Sequence, residues 1–427
     1  MNKFPNEGLR FAGDVSIRKL EVVSSANYKV DVTNQLIGVE IYEDMFAPFI
    51  TMSITVRESV DFINALPLRG EEILNLEIST PTFSDENTFF KGKFYIYKIS
   101  DRLMLNDRNI AYTMNCISYE ALYDVNVKQS KSYQGNISNI VQNIIGVDGL
   151  NTTKKTNIES TKNSIKYTSN FWSPVKNLNY LASSAQSNSG SASYLFFENR
   201  LGFNFISLEA LYSSNPYQKF IKDNYVRDSF TNTSLKNIER DYQRIIDFKV
   251  RVPFDSLKFT NSGVYSSRLY SYDLVKKKYV SKDYNTLSNF SKEVHLNKTP
   301  LYTDAKPVSP SNFIMNGIKH YGSHTGYTDT SSVSIDQQRK SKLGLLRSSI
   351  VEINVFGRTD YTVGQKVYLE LPKPVVITEK DQANTDPQTG FIDTTYSGFY
   401  IVTAINHVIS KENHTCIMEL SKDSKLE

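Results

Sequence analysis

Gly70-Glu-Glu-Ile73, Gly92-Lys-Phe94-Tyr95-Ile96 and Asn109-Ile-Ala-Tyr112-Thr-Met114-Asn-Cys116 recur nearly three hundred residues later. Their counterparts are Gly364-Gln-Lys-Val367, Gly398-Phe399-Tyr400-Ile401 and Asn413-His-Thr-Cys416-Ile-Met418-Glu-Leu420, in the same order. A further pair lies upstream of each set, Ser53-Ile54-Thr-Val56 against Glu352-Ile353-Asn-Val355. Only the loop lengths differ. Two copies are too few for a solenoid, which needs at least about three stacked repeats, so the duplication predicts two related β domains at opposite ends of one polypeptide. Equal spacing from Asn109 and Asn413 puts Tyr112, Met114 and Cys116 on the same strand face as Cys416, Met418 and Leu420.

Working outward from the first copy, Ile50, Met52, Ile54 and Val56 alternate with Thr51, Ser53, Thr55 and Arg57. A period of two marks a half-buried strand with one wet face. Val39-Glu-Ile41-Tyr42 reads as its partner, and Phe94–Ile99 returns through the polar turn at Leu105–Asn109 into Ile110–Ser118. Residues 1–125 therefore read as an antiparallel β domain. The period then changes. Ile137, Ile140, Val141, Ile144 and Ile145 form one helical stripe between a candidate cap, Asn136, and a stop, Gly146. Ser173-Pro174 opens a second helix with buried positions Val175, Leu178, Leu181, Ala182 and Ala185. Ser187–Ala192 reads as a flexible connection, and Tyr194–Phe197 with Phe203–Ile206 as a hairpin. Residues 126–235 are thus an α+β connecting domain. Ile246–Val252 leads into the second β domain, 236–260 with 346–427, which residues 261–345 interrupt as an insertion. The fold class expected is mainly β with α+β insertions, built on two duplicated antiparallel β-barrel domains.

Composition agrees with this and narrows function. The chain has 427 residues, with 27 Tyr and 24 Phe beside one Trp. Tyr and Phe favour pleated, half-buried surfaces, and their number exceeds what two small cores need, so some should lie at subunit interfaces. A net charge of +4 argues against general nucleic-acid binding, which needs a concentrated basic stripe. The run Lys276–Lys278 reads as solvated surface. Cys116 and Cys416 make no disulfide framework and read as small buried hydrophobes. No secretory h-region opens the chain and no run approaches the roughly 20 apolar residues of a membrane helix, so membrane embedding is not expected.

No catalytic constellation emerges. His320 and His324 flank Gly322 without a Cys or acidic neighbour, which favours a loop over a metal site. His407 and His414 are expected to face water near the last turn. The pairs Glu71-Glu72 and Asp85-Glu86 read as solvated edges. Phosphate-loop, nucleophile-elbow and dinucleotide fingerprints are absent from the sequence. The expectation is a scaffold, with no catalytic residue, metal or cofactor.

Ile41-Tyr-Glu-Asp-Met-Phe-Ala-Pro48, Leu68-Arg-Gly-Glu-Glu-Ile73, Phe171-Trp-Ser-Pro-Val-Lys-Asn-Leu178, Tyr194–Phe203, Val355–Gly364 and Ser397–Val402 give the chain a resemblance to a known family. In order and spacing it resembles the central baseplate hub proteins of contractile-tailed, T4-like bacteriophages, which are related to the N-terminal part of type VI secretion spike proteins. The resemblance implies a virion protein assembled in the host cytoplasm as a homotrimer. Its six similar barrels would form a pseudo-sixfold ring adapting the sixfold tail tube to the threefold spike. The implied partners are a separate central spike protein, tail tube or distal tube-ring proteins, other baseplate proteins and, as a further candidate, the tape-measure protein. The strand carrying Ile50, Met52, Ile54 and Val56 is the candidate tube interface. Two other readings share the Tyr-rich β composition: a receptor- or glycan-binding tail module, and a tail-associated cell-wall hydrolase.

Overall fold

The computed structural model describes residues 11–426 apart from 26, 59–68, 84, 107–108, 223–234, 253, 274–276, 303–312, 318, 321–327, 330, 374–391 and 412. Alternating sequence becomes alternating burial. In the first copy the strands are β1 (Leu36–Asp44), β2 (Thr51–Glu58), β3 (Ile73–Ser79), β4 (Phe90–Asn106) and β5 (Asn109–Ser118). In the second they are β6 (Ile245–Val252), β7 (Ile350–Phe356), β8 (Lys366–Glu370), β9 (Gly398–Ser410) and β10 (His414–Ser421). The first copy is ordered β1-β2-β5-β4-β3 and the second β6-β7-β10-β9-β8. One pairing scheme thus occurs twice.

The registers coincide as well. Met114 stands opposite Ile54 and Met418 opposite Ile353; Tyr112 stands opposite Val56 and Cys416 opposite Val355. The register slips after Ile96 in β4 and after Val402 in β9, and likewise after Leu36 in β1 and Ile245 in β6. Bulges re-aim strands at defined places, so matching bulges extend the correspondence beyond the strand order. Gly70 and Gly364 hold φ of 92° and 84° before the third strand of each copy, a backbone region that residues with a Cβ rarely adopt.

The two copies are joined edge to edge. After Ile401 the long β9 leaves β8 and pairs with β1, from Ala404 opposite Asp44 to Ser410 opposite Gly38. The result is a 13-stranded sheet that also takes in Ser16–Val23, Lys29–Asp31 and Gln218–Ile221. Each copy has its own apolar core, the second completed by Leu195, Phe197, Leu208, Leu211, Tyr212 and Phe220 of the segment between the copies, and the cores exchange a residue: Ile409 packs in the first and Met45 in the second.

The segment between the copies folds on a third core. Helix α1 (Ile137–Ile145) buries all five residues of its stripe, each contributing roughly 1.5–3 kcal/mol by leaving water. Helix α2 (Pro174–Ser184) begins at Ser173, whose hydroxyl accepts the Lys176 N–H. The hairpin Tyr194–Asn199/Gly202–Ser207 completes the core with stacked Phe196 and Phe203. Much of the aromatic excess is used here and in the interior generally, where Tyr112, Tyr194, Tyr212, Tyr242, Tyr361 and Tyr400 are all fully buried. Ser187–Ala192 is a bonded turn rather than a loose connection: Ser187 Oγ accepts the Ser191 N–H and both residues are buried. The insertion, 261–345, contains a sheet of Ser266–Asp273, Lys278–Asn285 and Phe313–Gly317, backed by helix α3 (Ser331–Leu346).

Candidate assembly surface

Burying one face of each strand leaves the other to solvent or to partners. On β2 the inner residues Ile50, Met52, Ile54 and Val56 are at most 3% exposed and lie in the first core, with Tyr112, Met114 and Cys116. Cys416, Met418 and Leu420 lie in the second core. These side chains are used within the chain, so the apolar face of β2 is not available to a tube subunit. What β2 presents outward is Thr51, Ser53, Thr55 and Arg57. Thr55 and Thr113 hydroxyls lie 3.3 Å apart on that face. It continues across the junction through Glu40, Tyr42 and Asn406, and reaches Arg251, which pairs with Glu352 at 2.6 Å. A broad polar sheet face results, carrying both signs of charge.

Two sheet edges stand out. The first part of β4 pairs with β3 only as far as Tyr95, and among the described residues no strand covers that edge afterwards. Leu103, Met104 and Leu105 there are 61%, 76% and 51% exposed. The outer edge of β6 likewise carries no strand among the described residues, and Ile246 and Phe248 on it are exposed. Long uncovered edges with apolar side chains invite pairing with another chain.

Several polar groups expected at the surface are interior. Glu72 is buried and its carboxylate accepts the N–H groups of Arg69, Gly70 and Glu71 at 2.7, 2.9 and 3.0 Å, closing the turn before β3. Asp85 and Glu86, by contrast, stay exposed, and Asp85 caps a short 3-10 turn by accepting the Asn87 N–H. Glu43 is buried at the junction, and burial raises its carboxyl to about 7. His407 and His414 do not face water: each is 1% exposed. Burial pushes His407 down to about 4 and His414 well below its ordinary range, and pushes the neighbouring Cys416 thiol up. The reason is the inter-copy pairing, which lays β1 along β9 and covers a hairpin that would otherwise be an edge. His320 lies in a short strand pairing, whereas His324 and Lys276 fall outside the described residues. No helix among the described residues is long and apolar enough to cross a membrane.

No family model matches the chain. A probable baseplate hub protein, gp334, of Vibrio phage KVP40 is 20% identical over 95% of this chain and 93% of its own length. The fold is shared with the tail protein from Neisseria meningitidis MC58, at a TM-score of 0.53 and 9% identity over 95% of this chain and 96% of that one. It is also shared with the 43 kDa tail protein of prophage MuSo2 from Shewanella oneidensis, at a TM-score of 0.52 and 8% identity over 95% and 98%. The likeness to baseplate hub proteins seen in the sequence is therefore matched by a curated relative along nearly the whole chain and by the fold of phage tail proteins.

Proposed function

We propose that the chain is the structural hub of a phage tail baseplate, a homotrimer whose six five-stranded copies close into one ring. One observation carries this reading. The fourth strand of the second copy runs on to pair with the first strand of the first copy. The corresponding pair of edges, the fourth strand of the first copy and the first strand of the second, lies uncovered within the described chain. A contact between unlike edges is heterologous, and repeating it generates a closed ring when the rotation allows. Three chains then supply six equivalent junctions, three within chains and three between them.

The register of the missing junction follows from the one present. Asn406 stands opposite Tyr42. Matching positions in the other copies are Ser100, opposite Thr113 as Asn406 is opposite Ile417, and Arg251, which follows Ile245 by the same number of residues as Tyr42 follows Leu36, Ile245 and Leu36 standing opposite the matched Val355 and Val56. Ser100 of one chain would thus face Arg251 of the next, with Ile99 facing Val252. Pairing there would cover Leu103–Leu105 and Ile246 with Phe248.

The ring works by geometry and without turnover. Its polar sheet face lines the channel and meets the tail tube or its distal ring, and its opposite end seats a separate central spike, with other baseplate proteins and the tape-measure protein around it. On this reading residues 1–125 and 236–260 with 346–427 are the ring-forming units, 126–235 connects them and lends Gln218–Ile221 to the sheet, and 261–345 is an insertion. The test is the solution mass of the full chain, alone and mixed with its spike. Three chain masses are expected; a single chain mass under both conditions would overturn the reading.

A further inference from the structure

The hairpin β9–β10 brings together three side chains that the hub reading does not use. We propose that His407, His414 and Cys416 form a binding site for one zinc(II) ion per chain. His407 Nδ1 lies 3.0 Å from His414 Nε2, and Cys416 Sγ lies 3.2 Å from the first and 3.5 Å from the second. A point just off the plane of that triangle is about 2.1 Å from all three atoms, close to ordinary zinc–nitrogen and zinc–sulfur bond lengths. Two imidazoles and a thiolate suit zinc, which leaves the fourth tetrahedral position for a water. Among the described residues this is the group of His, Cys, Asp and Glu side chains with converging ligand atoms.

The site is built into the fold. His414 donates its backbone N–H to Gly13 O at 2.8 Å, and its own carbonyl accepts the Gly357 N–H at 2.8 Å. A Cβ at Gly357 would sit 2.2 Å from the His414 ring, so glycine there lets the imidazole in. His407 is set by its pairing with Cys416 on one side and Ile41 of the first copy on the other. The outward nitrogens, His407 Nε2 and His414 Nδ1, are buried without a hydrogen-bond partner. Both inward nitrogens can offer lone pairs to an ion when the outward nitrogens carry the ring protons.

The topology does not require these residues. By register, Cys416 corresponds to Tyr112 and His414 to Ile110, and the first copy closes its equivalent hairpin with those side chains. The ligands are confined to the copy whose hairpin tip is covered by the other copy and by the N-terminal segment. Coordination replaces the thiol proton, which leaves to solvent, and no electron is transferred. Because all three residues are fully buried, the ion enters as the hairpin closes and exchanges slowly afterwards.

The test uses the full chain produced with zinc in the medium and cleared of loose metal on a chelating resin. Elemental analysis should find about one zinc per chain, falling to near zero in the His407→Gln/His414→Gln double variant. Refolding in cobalt(II) alone should give tetrahedral ligand-field bands and a thiolate charge-transfer band, the latter lost in Cys416→Ser. Should either variant fail to fold, X-ray absorption at the zinc edge of the wild-type chain reads a mixed nitrogen and sulfur shell without any substitution. A folded wild-type chain that holds no metal, gives no cobalt spectrum on refolding, or shows an oxygen-only shell would overturn the proposal. So would undiminished zinc in a folded double variant, which would mean an adventitious ion only.

Discussion

Glu43, in the first copy, accepts a hydrogen bond from the backbone N–H of Val363, in the second, at 3.1 Å and 320 residues along the chain. The same oxygen accepts from the Thr362 hydroxyl, while its partner oxygen is buried without one. The contact sits where β1 meets β9, so it reports on the union of the copies. Burial raises the carboxyl from 4.5 to about 7. Between those values the folded chain holds a proton that the unfolded chain releases. The stabilisation is complete below pH 4.5 and is lost as pH rises through 7, at up to about 1.4 kcal/mol per pH unit. Denaturant midpoints measured from pH 4.5 to 8 should fall less steeply in Glu43→Gln than in the wild type. Parallel profiles would refute this.

The two faces of β2 should respond differently to charge. Ile54 is fully buried between Val39 and Met114. Ile54→Asp would place an unpaired carboxylate in the first core, costing several kcal/mol, and should abolish soluble folded chain and tail assembly. Thr55→Asp, on the outward face, should cost within about 1 kcal/mol. Chemical denaturation with a particle-assembly assay reads both. Equal effects would mean that the alternation does not divide core from surface.

Gly70 and Gly364 offer a matched test of the duplication. Both hold positive φ before the third strand of their copy, and a Cβ would meet Tyr97 O at 3.3 Å in one and Phe197 Cζ at 3.2 Å in the other. Gly70→Ala and Gly364→Ala should each destabilise by about 1–2 kcal/mol, from the left-handed backbone alone. A neutral result at either site in thermal unfolding would break the equivalence of the turns.

Met104 is 76% exposed on the uncovered edge of β4. Met104→Asp should leave the isolated chain's unfolding midpoint unchanged within about 0.5 kcal/mol, yet weaken its association. Sedimentation across a concentration series checks this. Unaltered association would remove that edge from the interface.

The strands of both copies were legible because each buries one face within its own copy: Ile54 and Ile353 declare their faces through their immediate neighbours in sequence. The stripe of α1 was legible for the same reason. What stayed hidden depends on contacts between distant segments. His407 is interior because Ile41, 366 positions earlier in numbering, lies beside it. Glu72 looked like a solvated edge because its partners are backbone N–H groups, which leave no mark in the sequence. Both faces of β2 were legible: the alternation assigns Ile50, Met52, Ile54 and Val56 to packing, and they lie in the first core. Residues 266–317 gave little periodicity because their sheet mixes an antiparallel and a parallel pairing over short strands.

The central claim is that the junction between copies within one chain is repeated between chains. It is tested most directly by mixing two chains that each carry one added cysteine, Ser100→Cys and Arg251→Cys, and oxidising them after assembly. The native Cys116 and Cys416 are buried and do not interfere. Residues opposite one another in an antiparallel pair lie about 4.5–5.5 Å apart between Cα atoms, within disulfide reach. The account predicts an interchain disulfide between Cys at 100 of one chain and Cys at 251 of the next, and a double-cysteine chain that closes into a covalent three-chain ring. Assembled particles in which these positions never cross-link, while their solution mass is still three chains, would contradict it.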